Sequence, residues 1–153
     1  MPKVFTSKTQ RIGEIGEEMA VLWLTRRGFT IIDRNYTRPW GEIDIVAKKG
    51  NKYYFFEVKA VVTRENMPNT SVNQASTVTP ARTESARSGG HVTNPGFIRP
   101  EENAHPAKLA KLYRTVEVFL VEHSIVSDWQ IDLLCVYLDM DKKTAKVTRI
   151  ENI

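Results

Sequence analysis

The chain has 153 residues, a net charge of +4 and a single cysteine. This length predicts one domain over residues 1–153, large enough to have its own hydrophobic core. The lone cysteine excludes an internal disulfide and favours a reducing compartment. No apolar run reaches transmembrane length, and the N-terminal residues lack the apolar block of a signal peptide. We therefore expect a cytoplasmic protein with no membrane partner.

Positive charge is concentrated in the first part of the chain. Residues 1–64 carry 12 Lys or Arg against 7 Asp or Glu, whereas residues 105–153 carry 7 of each kind. Such an excess fits a polyanionic partner such as nucleic acid. It is equally compatible with ordinary surface charge.

Residues 8–28 predict an amphipathic helix that stops at Gly28. Its apolar stripe consists of Ile12, Ile15, Met19, Leu22 and Trp23. Glu17 lies at the border of this stripe, where it either reaches a neighbouring strand or stays in solvent near the start of the helix.

A short strand at 29–32 and a polar link at 33–40 are predicted next. The link contains Arg34 and Arg38, which either contact phosphates or are loop residues in water.

Two alternating strands, 41–49 and 52–59, flank Gly50-Asn51, which is typical of a two-residue hairpin turn. If Lys49 pairs with Lys52, Asp44 lies opposite Glu57, and Glu42 lies opposite Lys59 on the same face. The other face then carries Ile43, Ile45, Tyr54, Phe56 and Val58.

Opposed carboxylates are an unfavourable pair in a sheet. Directly opposed side chains lie about 5 Å apart at Cβ, where the repulsion is on the order of 3 kcal/mol at an effective dielectric near 20. A divalent metal or protonation of one acid relieves it. Asp44 and Glu57 are thus candidate ligands for a hard cation such as Mg²⁺, and Lys59 is placed to orient water or neutralise negative charge. The alternative is a solvated outer strand, although the apolar flanking residues favour an inner strand pair.

The remaining chain divides into an insertion and a second folded part. Residues 65–104 contain four of the seven prolines and few large apolar residues, which predicts a flexible insertion. His105-Pro106 opens a second helix, whose Lys108 and Lys111 are solvated or approach a nucleic-acid backbone. Residues 129–140 predict a central strand in which Asp132 needs a partner, and a weaker strand follows at 145–150.

The order of helix, three strands, helix and strand, with Asp44 followed by Glu57-Val-Lys59, resembles the nuclease core of the restriction-endonuclease-like superfamily. A closer resemblance is to the YraN family (UPF0102), predicted endonucleases similar to archaeal Holliday junction resolvases. It rests on Gly13-x-x-Gly-Glu-Glu-x-Ala20, Arg34-Asn35, Gly41-Glu-Ile-Asp-Ile45 and Phe56-Glu-Val-Lys59. The match covers residues 11–60 well and 105–137 loosely.

The resemblance implies an α/β fold with a mixed sheet of four or five strands flanked by helices, and Mg²⁺- or Mn²⁺-dependent hydrolysis of DNA, including branched DNA. It implies that Asp44 and Glu57 are metal ligands, Lys59 is the catalytic lysine and Glu17 is an additional acid. Lys108 falls where the family has a basic residue early in the second helix. A resolvase that cuts two strands symmetrically is expected to be a homodimer.

Two departures from the family pattern affect the substrate side. Val61 stands where the family usually has an arginine, so that Arg64 is the nearest candidate for a DNA contact. The insertion at 65–104 also replaces a shorter loop.

Two other classes of function remain open from the sequence. A non-catalytic nucleic-acid-binding or DNA-processing accessory protein shares the basic N-terminal part and does not require the acids. A protein-interaction module that works through the insertion does not require them either.

Overall fold

The computed structural model describes residues 7–63 and 106–153. In chain order the elements are α1 (Lys8–Arg26), β1 (Thr30–Arg38), β2 (Gly41–Lys49), β3 (Lys52–Thr63), α2 (Pro106–Glu122), β4 (Trp129–Asp139) and β5 (Thr144–Ile150). The predicted insertion at 65–104 and the candidate contact Arg64 lie outside the described residues. No helix in the two described ranges is long and apolar enough to cross a bilayer.

The five strands form one mixed sheet in the order β1-β2-β3-β4-β5. Neighbouring strands pair antiparallel except β3 and β4, which are parallel. A parallel pair needs a crossover connection, and α2 lies in the segment that joins these two strands. The predicted mixed α/β sheet is confirmed, its arrangement is consistent with a restriction-endonuclease-like core, and β4 is an inner strand as expected.

α1 begins and ends at recognisable signals. The Ser7 side chain accepts a hydrogen bond from the Gln10 N–H at 3.2 Å, which caps the helix. At the other end Gly28 has a φ of 83°, a conformation that favours glycine. The buried residues of the helix are Gly16, Ala20 and Leu24. The predicted stripe is wrong at Leu22, which is 43% exposed, because the small residues, one turn apart, bring a different line of the helix onto the sheet.

The predicted polar link at 33–40 is wrong, since most of it belongs to β1. Exposed and half-buried residues alternate along this strand, which is typical of the edge of a sheet. Only Pro39 and Trp40 connect β1 to β2. An edge strand with one solvated side need not be apolar, and its polar composition therefore looked like a loop.

The sheet has one helix against each face, and each face has its own core. The α1-side core consists of Ala20, Leu24, Phe29, Ile45, Ala47, Phe56, Leu134, Val136 and Leu138. The α2-side core consists of Tyr36, Ile43, Val46, Phe55, Leu112, Val116, Phe119 and Ile131. Cys135, the single cysteine of the chain, is buried and free.

Asp132 of β4 has the partner that its burial requires. The side chain is fully buried, and its Oδ2 accepts a hydrogen bond from Arg149 Nε at 2.8 Å. Its Oδ1 accepts hydrogen bonds from Gln130 Nε2 at 2.8 Å and from the Asn152 N–H at 3.0 Å. A buried charge is tolerated when it is paired and hydrogen-bonded in this way.

Candidate functional site

The β2–β3 hairpin has the predicted register. Lys49 pairs with Lys52, and the pairing continues to Ile45 with Phe56. One residue further along β2, the Asp44 Oδ2 accepts a hydrogen bond from the Val58 N–H at 2.7 Å. A side chain thus satisfies a backbone donor of β3 at the point where the paired ladder ends.

Beside this carboxylate, the side chains of β1 and β2 stop alternating regularly between the two faces of the sheet. Asn35 has a φ of 52°, so that Arg34 before it points to the acids of α1 whereas Tyr36 after it enters the α2-side core. Their pairing partners in β2 lie on the same sides of the sheet. Ile45, opposite Arg34, is in the α1-side core, and Ile43, opposite Tyr36, is in the α2-side core. The predicted common face for these two isoleucines is therefore wrong, because a left-handed residue in β1 interrupts the alternation of the strands.

Asp44 is a buried acid near three other acids, Glu17, Glu42 and Glu57, and we call these four side chains the acidic group. Its side chain lies in the sheet and the residue is only 8% exposed. Its pKa is raised to about 7, chiefly by burial and in addition by the negative charges of Glu57, Glu17 and Glu42, whereas the hydrogen bond from Val58 opposes the shift. Repulsion from Glu57 is therefore one cause of the raised pKa of Asp44, and burial is the larger one.

Glu17 reaches this group from α1. The helix approaches β3 closely because Gly16 packs directly against Ala60, where a side chain on the glycine would collide. The Glu17 side chain is 22% exposed, and its pKa is raised, chiefly by burial. A hydrogen bond from Asn35 and the positive charge of Arg34 lower it again. Of the two positions that the sequence left open for Glu17, the structure has the one next to a strand.

Glu57 and Lys59 lie two residues apart on β3 and thus on one face of the strand. The Glu57 side chain is 17% exposed and forms an ion pair with Lys108 at the start of α2. Lys59 pairs in register with Cys135 of β4. Burial raises the pKa of the Cys135 thiol and the positive charge of Lys59 opposes this shift, which places the lysine charge nearby.

The donor set suits a hard cation that keeps part of its water shell. Within residues 7–63 and 106–153, no three His, Cys, Asp or Glu side chains converge into a metal-binding cluster. Mg²⁺ usually binds through one or two carboxylates and retains several waters. Asp44 and Glu57 provide two carboxylates, and a positive charge between them would offset both the burial and the repulsion that raise the pKa of Asp44.

Sequence comparison places the chain among known relatives. The model of the family described as "Uncharacterised protein family UPF0102" matches residues 16–88. A UPF0102 protein of Campylobacter jejuni subsp. doylei is 30% identical over 128 residues, which cover 84% of this chain and 85% of that protein. The chain belongs to the UPF0102 family. The resemblance to the UPF0102 family seen in the motifs is confirmed.

Two further UPF0102 proteins are similar to this chain. One from Dictyoglomus thermophilum is 47% identical over 58 residues, 38% of this chain and 47% of that protein. One from Campylobacter lari is 28% identical over 124 residues, 81% of each chain.

The basic residues predicted to contact nucleic acid have different surroundings in this UPF0102 protein. Arg34 Nη2 lies 3.0 Å from Glu18 Oε1, and Arg38 Nη2 lies 2.5 Å from Glu122 Oε2. Lys108 joins the acidic group through its ion pair, and Lys111 is exposed one turn later on α2. Three of these predicted cations are therefore engaged by acids of the same chain. Arg64 lies outside the described residues.

Two residues act in the acidic group although the sequence assigned them no role there. Glu42 adds negative charge beside both Asp44 and Glu17, and Asn35 hydrogen-bonds to Glu17. Glu42 was already on the acidic face of the predicted hairpin, which was a sufficient signal. For Asn35 the signal was weaker: asparagine is one of the few residues enriched in the left-handed conformation.

The acidic group is separate from a cavity of about 430 Å³ at the N-terminal end of α1. That cavity is lined by Lys8, Arg11, Ile12, Ile15, Val62, Thr63, Met140 and Asp141. Asp44, Glu57 and Lys59 do not line it, so the candidate chemistry of this UPF0102 protein lies outside that cavity.

Proposed function

We propose that the protein is a metal-dependent endonuclease that hydrolyses phosphodiester bonds in DNA. The observation that carries the proposal is the buried Asp44 carboxylate, which faces Glu57 and Glu17 at the point where β2 leaves β3. A fold that only needed stability has no use for this arrangement, because each added negative charge opposes ionisation of the buried acid. A bound divalent cation makes the same arrangement favourable.

In this proposal Asp44 and Glu57 hold Mg²⁺ or Mn²⁺. The ion supplies Lewis-acid stabilisation of negative charge and makes water a stronger nucleophile at neutral pH. The hydrogen bond from the Val58 N–H fixes one oxygen of Asp44, which leaves its other oxygen for the ion. Glu57 gives up its ion pair with Lys108, which is then available to a phosphate of the substrate.

Lys59 and Glu17 complete the reaction site in the proposal. Lys59 follows Glu57 on the same face of β3, where its ammonium group orients the attacking water or stabilises the charge that develops on the phosphate. Glu17 faces Asp44 from α1 and adds to the negative potential that favours a divalent cation. In the proposal, Glu17 contributes to the electrostatic potential at the metal site and does not coordinate the ion.

DNA is the substrate that the basic N-terminal part and the family resemblance favour. The resemblance to junction resolvases makes branched DNA a further candidate substrate. An enzyme that cuts a junction symmetrically is expected to act as a homodimer. Four-way junctions, flaps, single strands and linear duplexes therefore all belong in the substrate panel.

The test is cleavage of labelled substrates by purified protein in Mg²⁺ and in Mn²⁺. We expect metal-dependent cutting that falls at least 100-fold in Asp44→Asn and Lys59→Ala, since each removes a group that acts on the transition state. Glu117→Gln is the matched control, because this exposed acid of α2 lies outside the acidic group. Its activity should equal that of the wild type.

The opposite result favours a different class of protein. If no substrate is cut, and if DNA binding is unchanged in Asp44→Asn and Lys59→Ala, the protein is a nucleic-acid-binding accessory factor on this fold. Retained cutting in a folded Glu57→Ala variant would equally contradict the assigned site.

A further inference from the structure

Five cations meet at the end of the sheet where the β2–β3 hairpin turns. We call them the hairpin end: Arg26, Arg27, Lys48, Lys49 and Lys52. The first two close α1, and the three lysines flank the Gly50-Asn51 turn. The turn after α1 lies close to the hairpin lysines. A methyl group placed on Gly28 would lie 3.9 Å from Lys49 Cε.

Aromatic rings lie beneath four of these cations. Lys49 Nζ is 5.0 Å from the centre of the Phe29 ring, and Lys52 Nζ is 5.6 Å from that of Tyr54. Lys48 stacks on Tyr53 at 5.3 Å, and the Arg27 guanidinium on Trp23 at 3.8 Å. A ring beneath a cation holds it in place without neutralising it, so the charge remains available to an anion.

In the described part of the chain, the hairpin end lacks the acidic partners that other cations have. Across residues 7–63 and 106–153, Arg34, Arg38, Lys108 and Arg149 form ion pairs with acids, whereas none of the five hairpin-end cations does. Residues 46–56 contain no acid at all. Asp128 lies beside β3, where its carbonyl oxygen accepts a hydrogen bond from the Tyr53 N–H. These five cations, without acidic partners among the described residues, make this surface strongly positive.

We propose that the hairpin end binds the phosphate backbone of a nucleic-acid duplex. The inference rests on the proposed function in one respect: this duplex is an arm of the same substrate that enters the acidic group. Lys49 lies five residues from Asp44 along β2, which is about 17 Å at ~3.4 Å per residue. This span corresponds to roughly five base pairs, at ~3.4 Å of helix axis per phosphate of one strand. The hairpin end therefore positions an arm of duplex at a fixed distance from the bond to be cut.

Nucleic acid is the polyanion that this surface fits best. The cations surround the end of the sheet on both faces, with Lys48 above a ring of the α2 side and Lys49 and Lys52 above rings of the α1 side. Phosphates along a duplex groove present charge in several directions. The distribution suits them better than a flat bilayer surface, which contacts a single plane of charge.

The test is the salt dependence of duplex binding by fluorescence anisotropy, in EDTA so that no cutting occurs. The probe is a labelled 24-base-pair DNA, and the variant replaces Lys48, Lys49 and Lys52 with glutamine. The slope of log K against log salt changes by about 0.9 for each phosphate that the protein no longer neutralises. We expect the slope to become shallower by about two to three and the affinity at moderate salt to fall about tenfold or more.

The control removes the same charge elsewhere. Replacing Lys142, Lys143 and Lys146 with glutamine changes the β4–β5 turn and β5, which lie toward the opposite end of the β3–β4 pair. Its slope should stay close to that of the wild type. Arg26→Gln with Arg27→Gln is a second variant at the helix end, in case the lysine variant is destabilised, and it should lower the slope as well.

Three outcomes would overturn the inference. One is an unchanged slope in both hairpin-end variants, and another is an equally shallow slope in the control variant. The third is loss of binding to phosphatidylglycerol vesicles with DNA binding intact, which would make the surface a membrane contact. Binding is measured in EDTA and does not depend on cutting. A protein that binds duplex through the hairpin end but never cuts DNA would therefore contradict the proposed function and leave this inference intact.

Discussion

The Asp44 carboxyl combines deep burial with three acidic neighbours, and its pKa of about 7 lies well above the value of 3.8 for an exposed aspartate. The sign of its effect on stability follows from linkage. Below about pH 4 both the folded and the unfolded chain hold the proton, and the group contributes nothing. Between about pH 4 and 7 the unfolded chain releases the proton first, so the folded state loses stability as pH rises. Above about pH 7 the loss is complete.

Asp44→Asn should therefore stabilise the metal-free protein at high pH. The amide oxygen can still accept the Val58 N–H, and no buried charge has to form. We expect a melting temperature in EDTA at pH 8 that is roughly 5 °C or more above that of the wild type, with the difference vanishing near pH 4. Thermal unfolding followed by circular dichroism measures it. A wild-type protein that is more stable than the variant at pH 8 in EDTA would show that the burial of Asp44 is not unfavourable.

Sequence reasoning found the acids but not the backbone that carries them. The Gly50-Asn51 turn sets the register and the spacing of two from Glu57 to Lys59 sets the face, so their relative positions followed from local rules. Asn35 did not, because its left-handed conformation depends on how β1 crosses from one core to the other. That depends on contacts with both helices, which no local pattern contains.

The contact between α1 and β3 fixes how far Glu17 reaches. Gly16→Ala would place a methyl group against Ala60 and push the helix away from the sheet. We expect a loss of about 1–3 kcal/mol in unfolding free energy, because overpacking of a core contact costs that much. Urea unfolding measures the loss.

Gly13→Ala is the matched control in the same helix. Nothing lies within 4 Å of a methyl group at that position. Alanine is the better helix former by about 1 kcal/mol, and the variant should be as stable as the wild type or more so. Equal destabilisation by both substitutions would show that the close approach at Gly16 is not what matters.

The buried pair between β4 and β5 offers a test of how the far side of the sheet is held. Arg149→Met leaves the Asp132 carboxylate buried and without its cation, which costs about 3–5 kcal/mol. Combining it with Asp132→Asn should recover much of that loss, because the remaining amide carries no charge. A double-mutant cycle in urea gives the coupling energy. Strict additivity of the two changes would mean that the ion pair has no energetic role.

Helices and inner strands were the predictable elements. The helix α1 has its cap, its period and its terminating glycine in the sequence, and β4 is apolar on both faces. β1 was missed beyond residue 32 because an edge strand is identified by its neighbour and not by its own composition. Leu22 was misplaced for a related reason: which line of an amphipathic helix is buried depends on how closely the sheet lets it approach.

At the scale of the described molecule, the charges separate into two regions of opposite sign. In the acidic group, Glu57, Glu17 and Glu42 lie near enough to Asp44 for their negative charges to raise its pKa. Within residues 7–63 and 106–153, the hairpin-end cations form no ion pairs with acids. The first arrangement calls for a cation and the second for a polyanion. A nuclease uses both, whereas a simple binding protein needs only the second.

The most direct test of this account is titration of Mn²⁺ into the protein by isothermal calorimetry at pH 7.5. We predict a saturable site in the wild type and in Glu117→Gln, and its loss in Asp44→Asn. Proton release on binding should accompany it, since the metal displaces the proton that Asp44 partly holds at this pH. No binding by the wild type, or equal binding by Asp44→Asn, would contradict the assignment of the acidic group as a metal site.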